Sequence, residues 1–538
     1  GLTWTVGGVR AQTPPQSPAP ADSGVNAQLL ERLNQLEAEV QEVKGLRQQV
    51  NQLQGELSTF REAQQAAPAT GSNGGGGTSG MFGGGGSGAG NPGSAGGDAT
   101  GPGAGSAGRG EAAASKTGGP EDDNVGLQVH YKYNFGGGYF ELSDPDGEYT
   151  LKLQNQITAD GTFYDRQNIG STERGFNVPF QRLYLYGNVT KNWEYQVATQ
   201  GFLGSFNLLD MFINAHFDDR IQFKFGRMLS PFLYEYYGFS PAWEPVITNS
   251  PLFQLAGKRQ VGGMLWGKVF DNKVQYMAGI YNGVDGSFFD LDKNKDFLGS
   301  LTVTPFKGDG NDMLDSLGLG MDVQTGYQNF MLNAGDSKNF VNGAGEPTTN
   351  QSYITSSGVP FFQYNNDVRA WGNRTKLAPH IFWFGRFSVL AEYVIQSRQL
   401  ADTVTTGTSV LHGYYVNTSY FLTGEKYNGD GLGGYTTISP LRPLMPSQGK
   451  WGPGAWEIAA QFSEMNVGTG DFSRGFADPT VSANRLDQLM VGVNWWPNKW
   501  VRVSFDWVYD KFNRQIPLNG GNPVDEFDIF WTRMAMFF

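Results

Sequence analysis

The sequence predicts an all-β transmembrane β-barrel of about 16 antiparallel strands, preceded by an α-helical coiled coil and a Gly-rich linker. Three observations lead there. Over residues 121–538, segments of about 10 residues alternate apolar and polar, separated by Gly, Asn, Asp and Pro clusters. No uncharged apolar run reaches about 18 residues, which excludes a helical membrane protein but not a barrel, whose strands average out as half polar. A mean hydropathy of -0.39, 14% aromatic residues and 76 glycines among 538 residues suit that second case, with aromatics for interfacial girdles and glycines for tight turns.

The strands themselves carry the pattern. In "FSVLAEYVIQS", Phe387, Val389, Ala391, Tyr393 and Ile395 share one face, while Ser388, Glu392 and Gln396 share the other. In "VRVSFDWVYD", Val501, Val503, Phe505, Trp507 and Tyr509 oppose Arg502, Ser504, Asp506 and Asp510. In the last segment, Phe530, Thr532, Met534, Met536 and Phe538 alternate with Trp531, Arg533, Ala535 and Phe537. A soluble sandwich or adhesin alternates in the same way. Charges on one face and large apolar groups on the other suit a wall between lipid and a wet lumen, and so many strands would aggregate unless the sheet closed on itself. The terminal Phe538 then ends a lipid-facing row on the closing strand.

Ahead of the barrel the chain has three pieces. Residues 1–28 read as a disordered N-terminus, in which "GLTWTVGGVRA" has the small-residue ending of a signal-peptide tail. Residues 29–62 carry apolar side chains at Leu29, Leu33, Leu36, Val40, Val43, Leu46, Val50, Leu53, Leu57 and Phe60, a heptad seam with one stammer beside Gly45. A lone helix with so narrow a stripe is marginal, so a coiled coil of about 50 Å is expected. Residues 63–120 are a Gly-rich flexible linker with almost nothing to bury.

Composition removes several kinds of chemistry. There is no cysteine, hence no disulfide, zinc-thiolate site or thiol catalysis. A net charge of -12 argues against a nucleic-acid partner. "DLDKNKD" spaces Asp290, Asp292, Asn294 and Asp296 like the start of a calcium loop, but Lys295 occupies the sharp-turn position and Leu301 the closing one, so it reads as a polar loop. His130, His216, His380 and His412 are scattered without ligand spacing. Neither an enzyme nor a cofactor or metal is expected.

The ordered motifs "KFGRMLSPF", "KRQVGGMLWGKVFDNKVQYMAGIYNG", "GYYVNTSYFLTGEKYN", "ISPLRPLMP", "WGPGAWEIAAQFSEMNV" and "VGVNWWPNKWVRVSFDWVYDKF" make residues 127–538 similar to the phosphate-selective porin O and P family of outer-membrane channels. That resemblance implies an outer-membrane porin, a homotrimer, passing small hydrophilic solutes down their gradients, with the N-terminal region in the periplasm. It also implies an inward-folded loop at the constriction. By length and place this is Ser230 to Gly257, with Tyr234, Glu235, Tyr236, Tyr237, Trp243 and Glu244 as constriction candidates and Lys258 and Arg259 at the loop base. The family's anion path is understood to be lined by arginines and lysines. The charges of this loop are Glu235 and Glu244, so phosphate selectivity is not expected to carry over. Strand parity adds Glu392, Arg502, Asp506 and Arg533 as lumen charges. The alternative role is a structural anchor joining the outer membrane to the cell wall, through peptidoglycan or another periplasmic partner of the coiled coil.

Overall fold

A computed structural model describes residues 128–538 apart from 135–136, 167–174, 203–204, 240–242, 287, 289, 291, 311–312, 333–351, 428–433 and 519–521. The signal-tail, coiled-coil and linker expectations fall on residues 1–120 and lie outside the described residues. No described helix is long and apolar enough to cross a membrane.

Sixteen antiparallel strands form a closed ring. In chain order they are β1 Thr150–Tyr164, β2 Gln181–Thr190, β3 Trp193–Phe202, β4 Ser205–Asp218, β5 Ile221–Leu229, β6 Arg259–Val269, β7 Val274–Tyr281 and β8 Asp296–Val303. The second half comprises β9 Gly318–Met331, β10 Arg369–Trp383, β11 Phe387–Ala401, β12 Thr406–Phe421, β13 Ala455–Val467, β14 Arg485–Asn498, β15 Val501–Pro517 and β16 Pro523–Phe537. Each strand pairs with its sequence neighbours, and β16 returns to β1 through Ile529 to Phe537 against Tyr164 to Gln156. The last residue completes the seam: Asn155 and Phe538 exchange both backbone hydrogen bonds, at 2.8 and 3.1 Å. Closure gives each of the sixteen ring strands a partner on both sides, which protects the ring from edge-to-edge pairing. A hairpin of Gln128–Asn134 with Gly137–Ser143 precedes the ring and pairs with β1 over Phe140–Ser143.

Every strand has two environments. On β11 from Phe387 to Leu400 the even-numbered side chains are buried and the odd-numbered ones exposed or half-buried, as the alternation predicts. The outer rows are apolar: Phe225, Phe505, Phe530 and Met534 are each at least half exposed. Such a surface is untenable in water and ordinary against acyl chains. Tryptophans gather near the strand ends, with Trp456 stacked on Trp495 and Trp193 edge-on to Phe217. The inner face is polar, and its side chains from Gln156 on β1 to Arg533 on β16 are buried because inward segments cover them.

Sixteen is even, so the ring begins and ends at one rim, at Thr150 and Phe537. The opposite rim carries the connections 230–258, 282–295 and 332–368. The first of these holds the site.

Candidate functional site

Residues 230–258 leave β5, cross the interior and return to β6. The base is pinched shut where the Ser230 N–H and hydroxyl both donate to the Lys258 carbonyl, at 3.1 and 2.7 Å. Leu233 and Lys258 hold left-handed backbone, with φ of 72° and 54°, a conformation that non-glycine residues adopt only where their surroundings enforce it. Between them a single helical turn, α1 (Tyr234–Tyr237), lies fully buried.

Contacts from strands far around the ring hold this loop. The Glu392 carboxylate on β11 accepts the N–H groups of Tyr234 at 2.7 Å and Glu235 at 2.8 Å. The Tyr237 hydroxyl reaches Ser300 on β8 and Asp322 on β9. The Tyr234 ring stacks on His380 and Phe382 of β10, at 4.7 and 4.9 Å between centroids. Farther along, Arg502 on β15 donates to the Glu244 carbonyl at 2.8 Å, and Asp506 accepts the Ile247 N–H at 2.6 Å. Arg533 on β16 donates to the Ile247 carbonyl at 2.6 Å and clasps Asp160 on β1 with its other nitrogens.

Parity places Glu392, Arg502, Asp506 and Arg533 on the inner face, and the structure gives all four a further task that spacing could not reveal. Each is bound to the backbone of the loop, so they are latches rather than bare lumen charges. Tyr236 packs against Phe253, and its hydroxyl accepts a hydrogen bond from Arg259, whose guanidinium also pairs with Asp210 at 2.9 Å. Trp243 packs toward Phe537 near the barrel seam. Lys258 is buried and supplies the carbonyl that closes the loop base.

The two loop carboxyls are fully buried. Glu235 accepts from both the N–H and the hydroxyl of Ser250. Burial pushes its carboxyl up to about 7, and the Ser250 hydrogen bonds oppose that rise. Burial first, then the charge of Glu235, raises Glu244 well above the usual carboxylate range, with Asn249 and Asn417 donating to it.

Sequence reasoning missed two further groups. A hairpin of Ser352–Ile354 with Pro360–Gln363 also folds inward, its Tyr353, Phe361 and Phe362 buried, and it is stitched to the loop by reciprocal hydrogen bonds between Gln254 and Ile354. On the wall, Arg374 pairs with Asp285 and Asp296 while Lys376 pairs with Asp285 at 2.7 Å. Asp296, the last acid of the calcium-like run, therefore faces a guanidinium. Asp290 and Asp292 instead bind Lys295 and backbone N–H groups at the rim, as a polar loop would.

A closed sixteen-stranded ring with apolar outer rows, a polar interior and a loop folded across it defines the class of outer-membrane channel barrels. The family model for phosphate-selective porin O and P matches residues 151–537, and the chain belongs to that family. It is 24% identical over 429 residues to Porin O of Pseudomonas aeruginosa, an alignment covering 74% of this chain and 91% of that protein. Among solved structures it is similar to the outer-membrane channel DcaP of Acinetobacter baumannii, with 9% identity, 74% of this chain and 99% of that one covered, and a TM-score of 0.44. It is also similar to an anion-selective porin from Comamonas acidovorans, with 10% identity, 73% and 100% coverage and a TM-score of 0.41. The protein is an outer-membrane porin, a passive channel, and the matches lend no support to the anchor role.

Proposed function

We propose that residues 230–258 form the constriction of a homotrimeric general porin with weak, cation-leaning selectivity, and that phosphate is not its specific solute. The observation that carries this reading is how the inner cations are committed. Arg259 is paired with Asp210, Arg374 with Asp285 and Asp296, and Arg533 with Asp160, so these guanidiniums are neutralised on the wall. The loop itself adds two carboxyls, Glu235 and Glu244, with Arg502 held against its carbonyls. An anion following this path meets these three guanidiniums already paired with carboxylates, which weakens the field focusing that concentrates phosphate. In this reading the rim that carries Thr150 and Phe537 faces the periplasm, and the N-terminal region is periplasmic.

Single-channel recording in planar bilayers, with reversal potentials measured across a salt gradient, tests it. Current steps in groups of three with weak cation preference are expected, and the Glu235→Gln/Glu244→Gln double variant is expected to move the reversal potential toward anions. Strong anion selectivity in the unsubstituted protein would sink the selectivity claim. A reversal potential indifferent to both substitutions would remove the loop from the constriction.

A further inference from the structure

Beneath α1, three adjacent strands bring together side chains that lie far apart in sequence. Asp322 on β9, His380 on β10 and Glu392 on β11 point inward, and one ligand atom from each lies within 4.8 Å of the other two. His380 and Glu392 are direct cross-strand partners, and Asp322 is paired with Ala378, two residues from the histidine. All three are buried. The arrangement is incomplete as a hydrogen-bonded cluster. His380 Nδ1 faces Asp322 Oδ2 at 3.8 Å, too long for a hydrogen bond, and neither atom has a hydrogen-bond partner. Backbone polar groups also act on the cluster, Leu233 on Asp322 and Ala378 on His380. Among the described residues no lysine or arginine forms an ion pair with Asp322 or Glu392, and Glu392 also faces the charges of Asp322 and Glu235.

The outer partners are those a metal centre requires. Asp322 and His380 are each oriented by a second group through another of their atoms, while both Glu392 oxygens already accept hydrogen bonds and would take the ion on a remaining lone pair. The Tyr237 hydroxyl donates to Asp322 Oδ1 at 2.9 Å, the Tyr415 hydroxyl donates to Glu392 Oε2 at 2.7 Å, and Thr302 Oγ1 lies 3.2 Å from His380 Nε2. With Nε2 protonated and donating to Thr302, the Nδ1 lone pair is directed at Asp322, the tautomer a ligating imidazole needs. Gly320, the cross-strand partner of His380, makes the room: a Cβ there would lie 2.3 Å from Nε2 and 2.7 Å from the Leu301 carbonyl.

We propose that Asp322, His380 and Glu392 bind a divalent transition cation of the zinc kind. One imidazole and two carboxylates are a hard-to-borderline donor set suited to Zn²⁺, with open positions left for water. Bonds of about 2 Å to three tetrahedral ligands require donors about 3.3 Å apart. The site closes onto the ion by drawing its donors together by about an ångström. Glu392 also accepts the first N–H groups of α1, so the ion fastens the start of the inward loop to the wall.

The test uses the full chain, purified in detergent, stripped with a chelator and dialysed against Zn²⁺ alone. It is done in a His216→Ala background, because His216 with Glu194 and Asp219 at the rim offers a second zinc-binding set. Elemental analysis is expected to find one tightly held ion per chain, with affinity falling at least about tenfold in His380→Asn. No stoichiometric ion, or equal binding in the His380→Asn protein, would overturn the proposal. A measurement that needs no change at the site is Co²⁺ substitution in the His216→Ala protein. A visible spectrum of low-coordinate Co²⁺ is expected, and the spectrum of the free aqueous ion would overturn the proposal equally.

Discussion

Two groups of buried carboxylates flank the same strand, and they are compensated in opposite ways. Along β10, Arg374 and Lys376 neutralise Asp285 and Asp296, and Gln260 and Gln324 donate to the same carboxylates. Four residues beyond Lys376, His380 stands between Asp322 and Glu392, which have no basic partner among the described residues. Coulomb attraction offsets desolvation in the first group. In the second, neutral donors do that work: two backbone N–H groups of α1 and the hydroxyls of Tyr237 and Tyr415. The first arrangement ties the connection 282–295 to the wall through ion pairs, with Lys376 also donating to the Leu255 carbonyl of the loop. The second binds the loop to the wall, because the donors a carboxylate needs are the ones a folded-in loop brings.

The comparison breaks most severely at Arg374. Arg374→Met removes the one cation that touches both Asp285 and Asp296 and leaves Asp296 buried without an ion-pair partner. A loss of about 3–5 kcal/mol is expected, read as an earlier urea midpoint for protein folded into lipid vesicles. A loss below about 1 kcal/mol would mean that water, not the guanidinium, compensates these acids.

Glu392→Ala is expected to cost less, about 1–3 kcal/mol, since it strands neutral donors rather than a charge. Its larger signature is functional. With the N–H groups of Tyr234 and Glu235 released, the loop start is free to move, so open-channel current should become noisier and larger, and Glu392→Gln, which keeps an acceptor oxygen, should restore part of the steadiness. Quiet, unchanged currents in Glu392→Ala would show that the Arg502, Asp506 and Arg533 latches suffice.

Asp322→Asn sharpens the contrast from the other side. In chelator-treated protein it removes a buried charge with no basic partner and keeps an acceptor for Tyr237, so stability should hold within about 1 kcal/mol or rise slightly. Asp285 and Asp322 are both buried aspartates, and a large loss from Asp322→Asn would erase the distinction between the two groups.

The same contrast marks what was legible in the sequence. Alternation at Phe387–Gln396 and Val501–Asp510 exposes strand parity because lipid on one side and polar interior on the other impose a strict period of two, and the ring closes at Phe538 as the terminal row implied. Glu392, Arg502, Asp506 and Arg533 are buried and bound to the backbone of the loop. Their partners were not legible, because Tyr234, Glu244 and Ile247 are separated from them by more than 150 residues and meet them only once the ring has closed. His380 illustrates the limit. Ligand spacing in sequence is a property of helices and short loops, whereas neighbouring strands join Asp322 to His380 and His380 to Glu392 through register alone. Gly320 was an unremarked glycine until its cross-strand partner was known.

The smallest expected effect concerns the loop carboxyls, whose compensation comes from neutral donors as at Glu392. Burial raises the Glu235 carboxyl to about 7, above its ordinary value of 4.5, so the group gains its negative charge as pH rises through neutrality and loses it as pH falls. Reversal potentials recorded from pH 8.5 down to 5.5 should move toward anions around pH 7, by the equivalent of about one charge removed from the constriction. Glu235→Gln should flatten that step while leaving the current amplitude nearly intact. The variant is diagnostic: a histidine titrating over the same range would gain positive charge on acidification, which also favours anions, but its step would survive Glu235→Gln. A step that persists in this variant therefore assigns the titration to another group and places Glu235 off the ion path.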